Sequence, residues 1–278
     1  MTALQRKWVK YGSAYVALAA ISATMLLPFF WLVSSSFKSM SELFSIPIRW
    51  WIWPLHGSNY SSALHAIPFW TELRNTVFLS FSIVTGTILS SSFAAYGLAK
   101  IVWPGRQILF GILIATMILP GIVTFIPTYL IFRDLGWLGT YLPLIVPSFL
   151  GTPFYIFVFR QFFLTIPDSV SEAARMDGAS ELRIFLQIIM PLSKPAVTAV
   201  AILTFVGAWT DYLGPLIYLN TPSEWTLSLG LSAFLNTHTA AWNLLMAAAV
   251  VFTLPMIVIF FAGQRYFMQG ISFSTDVG

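Results

Sequence analysis

Residues Glu172 to Pro191 read EAARMDGASELRIFLQIIMP, and this stretch decides how the chain is organised. Its first half is polar and its second half amphipathic, and long apolar segments lie on both sides. Four basic and four acidic residues fall between Arg160 and Lys194. Elsewhere charge is scarce: of 278 residues only 9% are charged and 58% are hydrophobic, against about 25% charged in ordinary soluble proteins. With a mean hydropathy of +0.81, such a chain cannot cover a water-facing surface. It reads as an all-α integral membrane protein. A charged, folded excursion kept between membrane spans calls for a soluble partner.

The net charge of +4 is small and clusters near span ends, so it carries topology and not nucleic-acid binding. The chain has no cysteine, which excludes disulfides, thiol nucleophiles and cysteine metal sites. His56, His65 and His238 have no ligand-like neighbours in sequence. No cleaved signal peptide is expected, because the first apolar run exceeds a signal h-region of about 7–15 residues.

Charge-free runs give the spans. Residues 11–37, 75–99, 107–132 and 135–159 contain no charge, and each exceeds the ~20 residues that cross the hydrocarbon core. A fifth run, 195–210, is interrupted by Asp211 and resumes to about Asn220. The last, 225–264, is polar near Asn236 to Asn243, so its spanning part is 243–263. Six transmembrane helices are expected. Arg6, Lys7 and Lys10 precede the first span. Placing them inside puts Lys100, Arg106, Arg160, Arg175, Arg183, Lys194 and Arg265 inside too, against Lys38, Arg49, Arg74 and Arg133 outside. The bias predicts cytoplasmic termini and a cytoplasmic 160–194 loop.

Residues 38–72 then form an outer loop holding Trp50, Trp51, Trp53 and Trp70. Clustered tryptophans mark a membrane interface or, alternatively, a docking surface for an external partner. The second span is rich in small residues from Ser80 to Gly97, which permit close helix approach in lipid. That face packs inside the subunit, or turns toward a second membrane subunit or a pathway. Pro120, Pro127, Pro143, Pro147 and Pro153 predict kinked third and fourth spans.

Within the charged loop, Ser169 and Glu172 have the spacing of a capping box. A short helix is predicted to about Asp177, stopping at Gly178. Ser180 can cap a second helix that ends at Pro191, with Leu182, Phe185 and Ile189 on one apolar face. Glu172 is then either a capping residue or a contact for a soluble partner.

The spacing E-A-A, three residues, Gly, nine residues, Ile, one residue, Leu, Pro is matched by Glu172, Ala173, Ala174, Gly178, Ile188 and Pro191, with Met190 in place of the leucine. It resembles the hallmark of binding-protein-dependent ABC importer permeases. Further stretches resemble the maltose-type, MalG-like carbohydrate branch: LLPFFWLVSSSFKS at 26–39, AAYGLAK at 94–100, RQFFLTIPDSVSEAARMDGAS at 160–180 and AWTDYLGPLIYL at 208–219. The resemblance implies a type I importer (MetI-like) permease fold in a bacterial cytoplasmic (inner) membrane. It implies three regions: 1–70 with the first helix and outer loop, a permease core over 71–265, and a C-terminal tail over 266–278. It also implies that Glu172, Ala173, Ala174, Arg175, Asp177, Gly178 and Ala179 couple to an ATPase. The implied partners are a second homologous permease, a dimer of ABC ATPases and an extracytoplasmic solute-binding protein, besides membrane lipids. No cofactor is expected in this chain; ATP and Mg would bind the ATPases, since no G-x-x-x-x-G-K-[ST] loop occurs here. Two departures stand out: Thr210 replaces the usual Asn, and the tail ends STDVG with Asp276, so its contact with an ATPase should differ.

Asp211 is the one acid inside an expected span, at a cost of roughly +2.5 to +3.5 kcal/mol that the apolar residues before it offset. It lies ~24 Å along the helix from Pro195, toward the outer side. Intramembrane acids are functional candidates, and Trp209, Thr210, Asp211 and Tyr212 combine aromatic faces with hydroxyl-binding groups, as sugar sites do. Asn243 is a further pathway candidate. The other reading is that Asp211 marks a helix end before Gly214-Pro215. The expected function is a permease subunit importing a sugar or related polyol. The alternative is a stand-alone secondary transporter or channel, which would call for intramembrane charge pairs or internal repeats. No constellation of paired carboxylates or nucleophiles supports an enzyme.

Overall fold

A computed structural model of the chain describes residues 3–235 and 240–272, with side chains over 11–235 and 240–264. The tail with Asp276, and the 236–239 stretch with His238, lie outside the described residues. Among the described residues every regular element is helical. They fall into two compact units, one of residues 1–69 and 230–254 and the other of 70–229 and 255–278.

The first unit opens with α1 (Ala3–Ser36), followed by α2 (Met40–Leu43) and α3 (Ser58–Ala66). Ser39 and Glu42 form the capping box that starts α2, so that device operates here. The segment after α1 is folded and held by specific bonds. Asn59 donates from Nδ2 to the carbonyls of Ser36 (2.9 Å) and Lys38 (2.8 Å), and Asn243 donates to Asn59 Oδ1 at 3.1 Å. Trp50 packs edge-on against Trp31, and Trp51 stacks on Phe30. Two of the clustered tryptophans thus fold back on the last turns of α1.

The second unit begins with α4 (Phe69–Ala99), then α5 (Arg106–Thr116), α6 (Gly121–Asp134), α7 (Leu142–Ile145) and α8 (Pro153–Thr165). It continues with α9 (Asp168–Met176), α10 (Glu181–Ile184), α11 (Met190–Leu192), α12 (Lys194–Thr210) and α13 (Leu213–Tyr218). The short α14 (Leu227–Leu231) and the long α15 (Trp242–Ser272) close the chain. Four stretches are long and apolar enough to cross a membrane: Tyr11–Ser36, Phe69–Ala99, Leu142–Thr165 and Trp242–Gln264. The count reaches six if each of two bent pairs is one span, α5 with α6 at 97° and Glu181–Leu192 with α12 at 79°.

The third apolar run is therefore a broken element and not one kinked helix. Pro120 stands at the N-cap of α6, and Pro143 and Pro153 occupy the first turns of α7 and α8. A proline there loses no hydrogen bond, because those N–H groups have no helical partner. Of the five, Pro127 alone lies beyond the first turn of its helix. The fourth span is shifted relative to the charge gap. Gly136 and Gly139, both at positive φ, end the preceding structure, and the helical stretch then runs past Arg160 to Thr165.

The small-residue face of α4 packs within the unit. Ser80, Ser91, Ser92 and Ala95 are fully buried. Ser90 Oγ donates to the Ser148 carbonyl at 2.8 Å, and Thr152 N–H donates to Ser91 Oγ at 3.2 Å. A Cβ on Gly86 would overlap Ser148 Oγ and lie 2.6 Å from the Phe149 ring. The absent side chain is what lets the 146–150 turn approach.

Candidate functional site

The charged loop is a helix–turn–helix seated on a buried cluster. Ala95, Tyr96, Leu98 and Ala99 of α4, Ile156, Phe159 and Phe163 of α8, and Ala174, Ile184, Phe185 and Ile189 of the loop share this core. Helix α9 begins at Asp168 with Pro167 as N-cap and no side-chain cap bond. The Ser169–Glu172 capping box does not form. Proline fixes the entry two residues earlier than the box needs, which puts Ser169 inside the helix, and the Glu172 side chain is left exposed. The helix ends as expected. Gly178 sits at φ +80, the left-handed conformation that glycine adopts without a Cβ penalty. Its N–H donates to the Arg175 carbonyl at 3.0 Å, and Ala179 N–H donates to the Ala174 carbonyl at 2.9 Å. This bond pair is a Schellman motif, and Ala174 and Ala179 at its two ends both pack on the buried cluster.

Ser180 caps α10, accepting from Arg183 N–H at 3.4 Å. The helix then widens into a π-helical turn over Phe185–Ile189. With i→i+5 bonding, Ile184 and Ile189 share one fully buried face with Phe185, while Leu182 is 57% exposed. The expected face of Leu182, Phe185 and Ile189 is thus corrected by the π turn, which replaces Leu182 with Ile184.

On α9, Ser171 and Ala174 face inward. Glu172, Ala173, Arg175, Met176, Asp177 and Gly178 are exposed, and Ala179 is half-buried. Met176, 88% exposed, is a large apolar side chain at the tip of the loop that the motif spacing alone did not single out.

Sequence reasoning also missed what holds the loop. Lys100, one residue past α4, is buried. Its Nζ donates to the Ile166 carbonyl and to Asp168 Oδ1 at 2.7 Å, at the start of α9. That ammonium holds the Asp168 carboxyl below the ordinary aspartate range. One turn earlier, the Tyr96 hydroxyl donates to Glu181 Oε2 at 2.5 Å, at the start of α10. Glu181 in turn accepts from Arg175 Nε at 2.6 Å. A cleft of about 320 Å³ lined by Phe93, Gly97, Ile101 and Leu182 opens beside this carboxylate. The only prior signal was the AAYGLAK stretch, which places Tyr96 and Lys100 at helical i, i+4 spacing.

The pathway candidates separate. Trp209 is buried and stacks on Phe205. Thr210 Oγ1 donates to the Val206 carbonyl at 2.8 Å. Asp211 ends α12 in an extended conformation, and its Oδ1 accepts from Gly214 N–H at 3.1 Å. This is the geometry of a helix end. Tyr212 is exposed. Asn243 belongs to the other unit, where its amide is engaged by Asn59. Among the described residues no group of three or more His, Asp or Glu side chains is placed to hold a metal ion.

Residues 86–273 match the family of binding-protein-dependent transport system inner membrane components. The sn-glycerol-3-phosphate transport system permease protein UgpE of Salmonella typhi is 36% identical over 222 residues, 79% of this chain and 77% of the relative. Its counterpart in Escherichia coli O1:K1 / APEC is 31% identical over 96% of this chain and 97% of the relative. Among solved structures, a chain of a bacterial ABC transporter involved in import of the acidic polysaccharide alginate superposes with a TM-score of 0.81. It is 26% identical and covers 96% of this chain and 99% of its own. A chain of the MetNI methionine ABC transporter shares the fold at a TM-score of 0.53 and 19% identity, over 72% of this chain and 93% of its own. The chain belongs to the family of binding-protein-dependent transport system inner membrane components, and is a multi-pass permease component of such a system, not an enzyme.

Proposed function

We propose that this chain forms half of the translocation pathway of an ATP-driven importer for a sugar or related polyol compound, such as a sugar phosphate. The substrate class rests on its relatives, which carry sn-glycerol-3-phosphate and alginate names. The coupling role rests on one observation. The loop presents Glu172, Ala173, Met176 and Asp177 outward on a helix closed by a Schellman turn and packed on the ends of α4 and α8. A stiff, capped helix on a packed base can transmit a push. Its docking surface is a cleft in an ATPase subunit, where ATP and Mg are held. A second permease completes the pathway, and a solute-binding protein delivers substrate. Both termini and the 160–194 loop lie in the cytoplasm, as the distribution of Lys and Arg supports. Residues 71–265 act as the permease core. Asp211 and Tyr212, at the break after α12, are the pathway candidates this arrangement favours.

The test is uptake into proteoliposomes of the assembled complex, with sn-glycerol-3-phosphate, maltose and an alginate oligosaccharide as probes. Uptake of one probe that needs both internal ATP and the binding protein is the expected result. Uptake by this chain alone, driven by an ion gradient, would establish the secondary-transporter reading instead.

A further inference from the structure

The geometry points to the last turn of α4 as a two-point clamp on the coupling loop, with Tyr96 and Lys100 as positioning residues that make α4, α9 and the start of α10 move as one body. This inference rests on the coupling role of the 172–179 helix proposed above.

A single contact between a helix end and a loop leaves the loop free to pivot about it. Two contacts on one helix face, four residues and so about 6 Å apart along the axis, fix orientation as well as position. The structure supplies both. Lys100 holds the entrance of α9 through Asp168 and the Ile166 carbonyl. Tyr96 holds the entrance of α10 through Glu181. Arg175, in the last turn of α9, closes the circuit on the same Glu181 carboxylate. Helix α9 is therefore secured at both ends to one membrane helix, and its exit turn is locked by the Gly178 Schellman bonds.

Burial makes the clamp stiff. Tyr96 is 3% exposed and Lys100 7%, and the Tyr96 ring packs against Phe185 at 5.2 Å between centroids. Release of either contact would leave a polar group in the core without its partner, which opposes any pivoting of the loop. A displacement of α9 by a docked ATPase is then passed to α4 and not absorbed in the loop. Because the small-residue face of α4 is interlocked with the 146–152 segment, the displacement reaches that packed segment too.

The test uses the assembled complex. The chain has no cysteine, so Ser169→Cys on α9 and Leu89→Cys on α4 give unique sites for a spin-label pair. Their separation is measured by double electron–electron resonance in nucleotide-free and vanadate-trapped complexes. The expected result is one narrow distribution that is the same in both states. In the Tyr96→Phe/Lys100→Gln background it should broaden or become nucleotide-dependent. A distance that differs between the two states with the clamp intact would overturn the proposal, as would an unchanged narrow distribution with the clamp removed. Should the double variant fail to insert, Glu181→Gln serves in its place, since it keeps the side-chain volume and weakens both contacts of that carboxylate. Attachment is read separately by co-purification of the ATPase. If Gly178→Val leaves attachment intact, the docking reading fails, whatever the spin-label distances show.

Discussion

Two lysines close two loops, and they do so differently. Lys38 follows α1 and Lys100 follows α4, and both are buried. Each sends its ammonium across a turn to a backbone carbonyl, Arg49 for Lys38 at 2.7 Å and Ile166 for Lys100. The second ligand differs. Lys38 lies over the ring of Trp31, 4.0 Å from its centroid, a cation–π contact, with the Glu42 carboxylate acting on it through space. Lys100 instead meets Asp168, whose side chain is 77% exposed. One loop is tied by an aromatic face that no solvent ion can replace. The other is tied by a carboxylate that stands in water at the root of α9. Both devices brace their loop, the first under an aromatic face and the second at a helix whose outer surface is left exposed.

The comparison is broken most directly by removing each ammonium. Lys100→Ala strips the buried Ile166 carbonyl of its donor and should cost about 1–3 kcal/mol, while Lys38→Ala strips the carbonyl of the exposed Arg49 and should cost about 0.5–1.5 kcal/mol, each read as lowered thermal unfolding of the detergent-solubilised complex. Only Lys100→Ala should also reduce ATPase co-purification; equal loss from both variants would erase the distinction. Next comes the backbone. Gly178→Val forces a β-branched residue to φ +80, a strain of about 1–2 kcal/mol, and should weaken ATPase attachment. Gly57→Ala in the other loop, at φ −62 with open space around it, should stay within about 0.5 kcal/mol in the same unfolding assay.

Smaller still is the carboxylate. Asp168→Asn should cost below about 1 kcal/mol, because an exposed partner is screened, and raising the salt concentration should shrink even that difference. The smallest effect is in pH. The Asp168 carboxyl is depressed by Lys100. Its contribution is therefore present above the unfolded aspartate value of about 3.9 and is lost as pH falls through the lower folded value. The Lys38 ammonium is depressed by burial. The folded state there gives up its proton first, so stability rises with pH between the folded value and the unfolded one near 10.4. Unfolding midpoints measured against pH in K38M and D168N should each lose one of these two limbs. Loss of the acid limb in K38M would contradict the assignment.

Much of this was legible because it is local. Runs without charge exposed the spans, Gly178 marked the end of α9, and Ser180 announced α10, since each depends on residues within one turn of itself. Local rules also misled in definable ways. Ser169–x–x–Glu172 has the capping spacing, yet Pro167 set the helix start and the box did not form, while the same spacing at Ser39–Glu42 did. The prolines of the middle spans announced kinks, and most of them begin helices instead, where their missing N–H has no cost.

By itself the sequence determined that the chain is a polytopic membrane protein carrying one stiff, charged helix–turn–helix between its spans. Composition and helical periodicity suffice for that, because the bilayer forces every apolar run to satisfy its own backbone. Only the tertiary structure decided what that loop stands on. Tyr96 and Glu181 are separated by 85 residues, and Lys100 and Asp168 by 68, with no local rule linking either pair. They meet because α4, α8 and the π turn of 185–189 bury Ala95, Phe159 and Ile189 together, and close packing leaves the polar groups at the edge of that core with one set of partners.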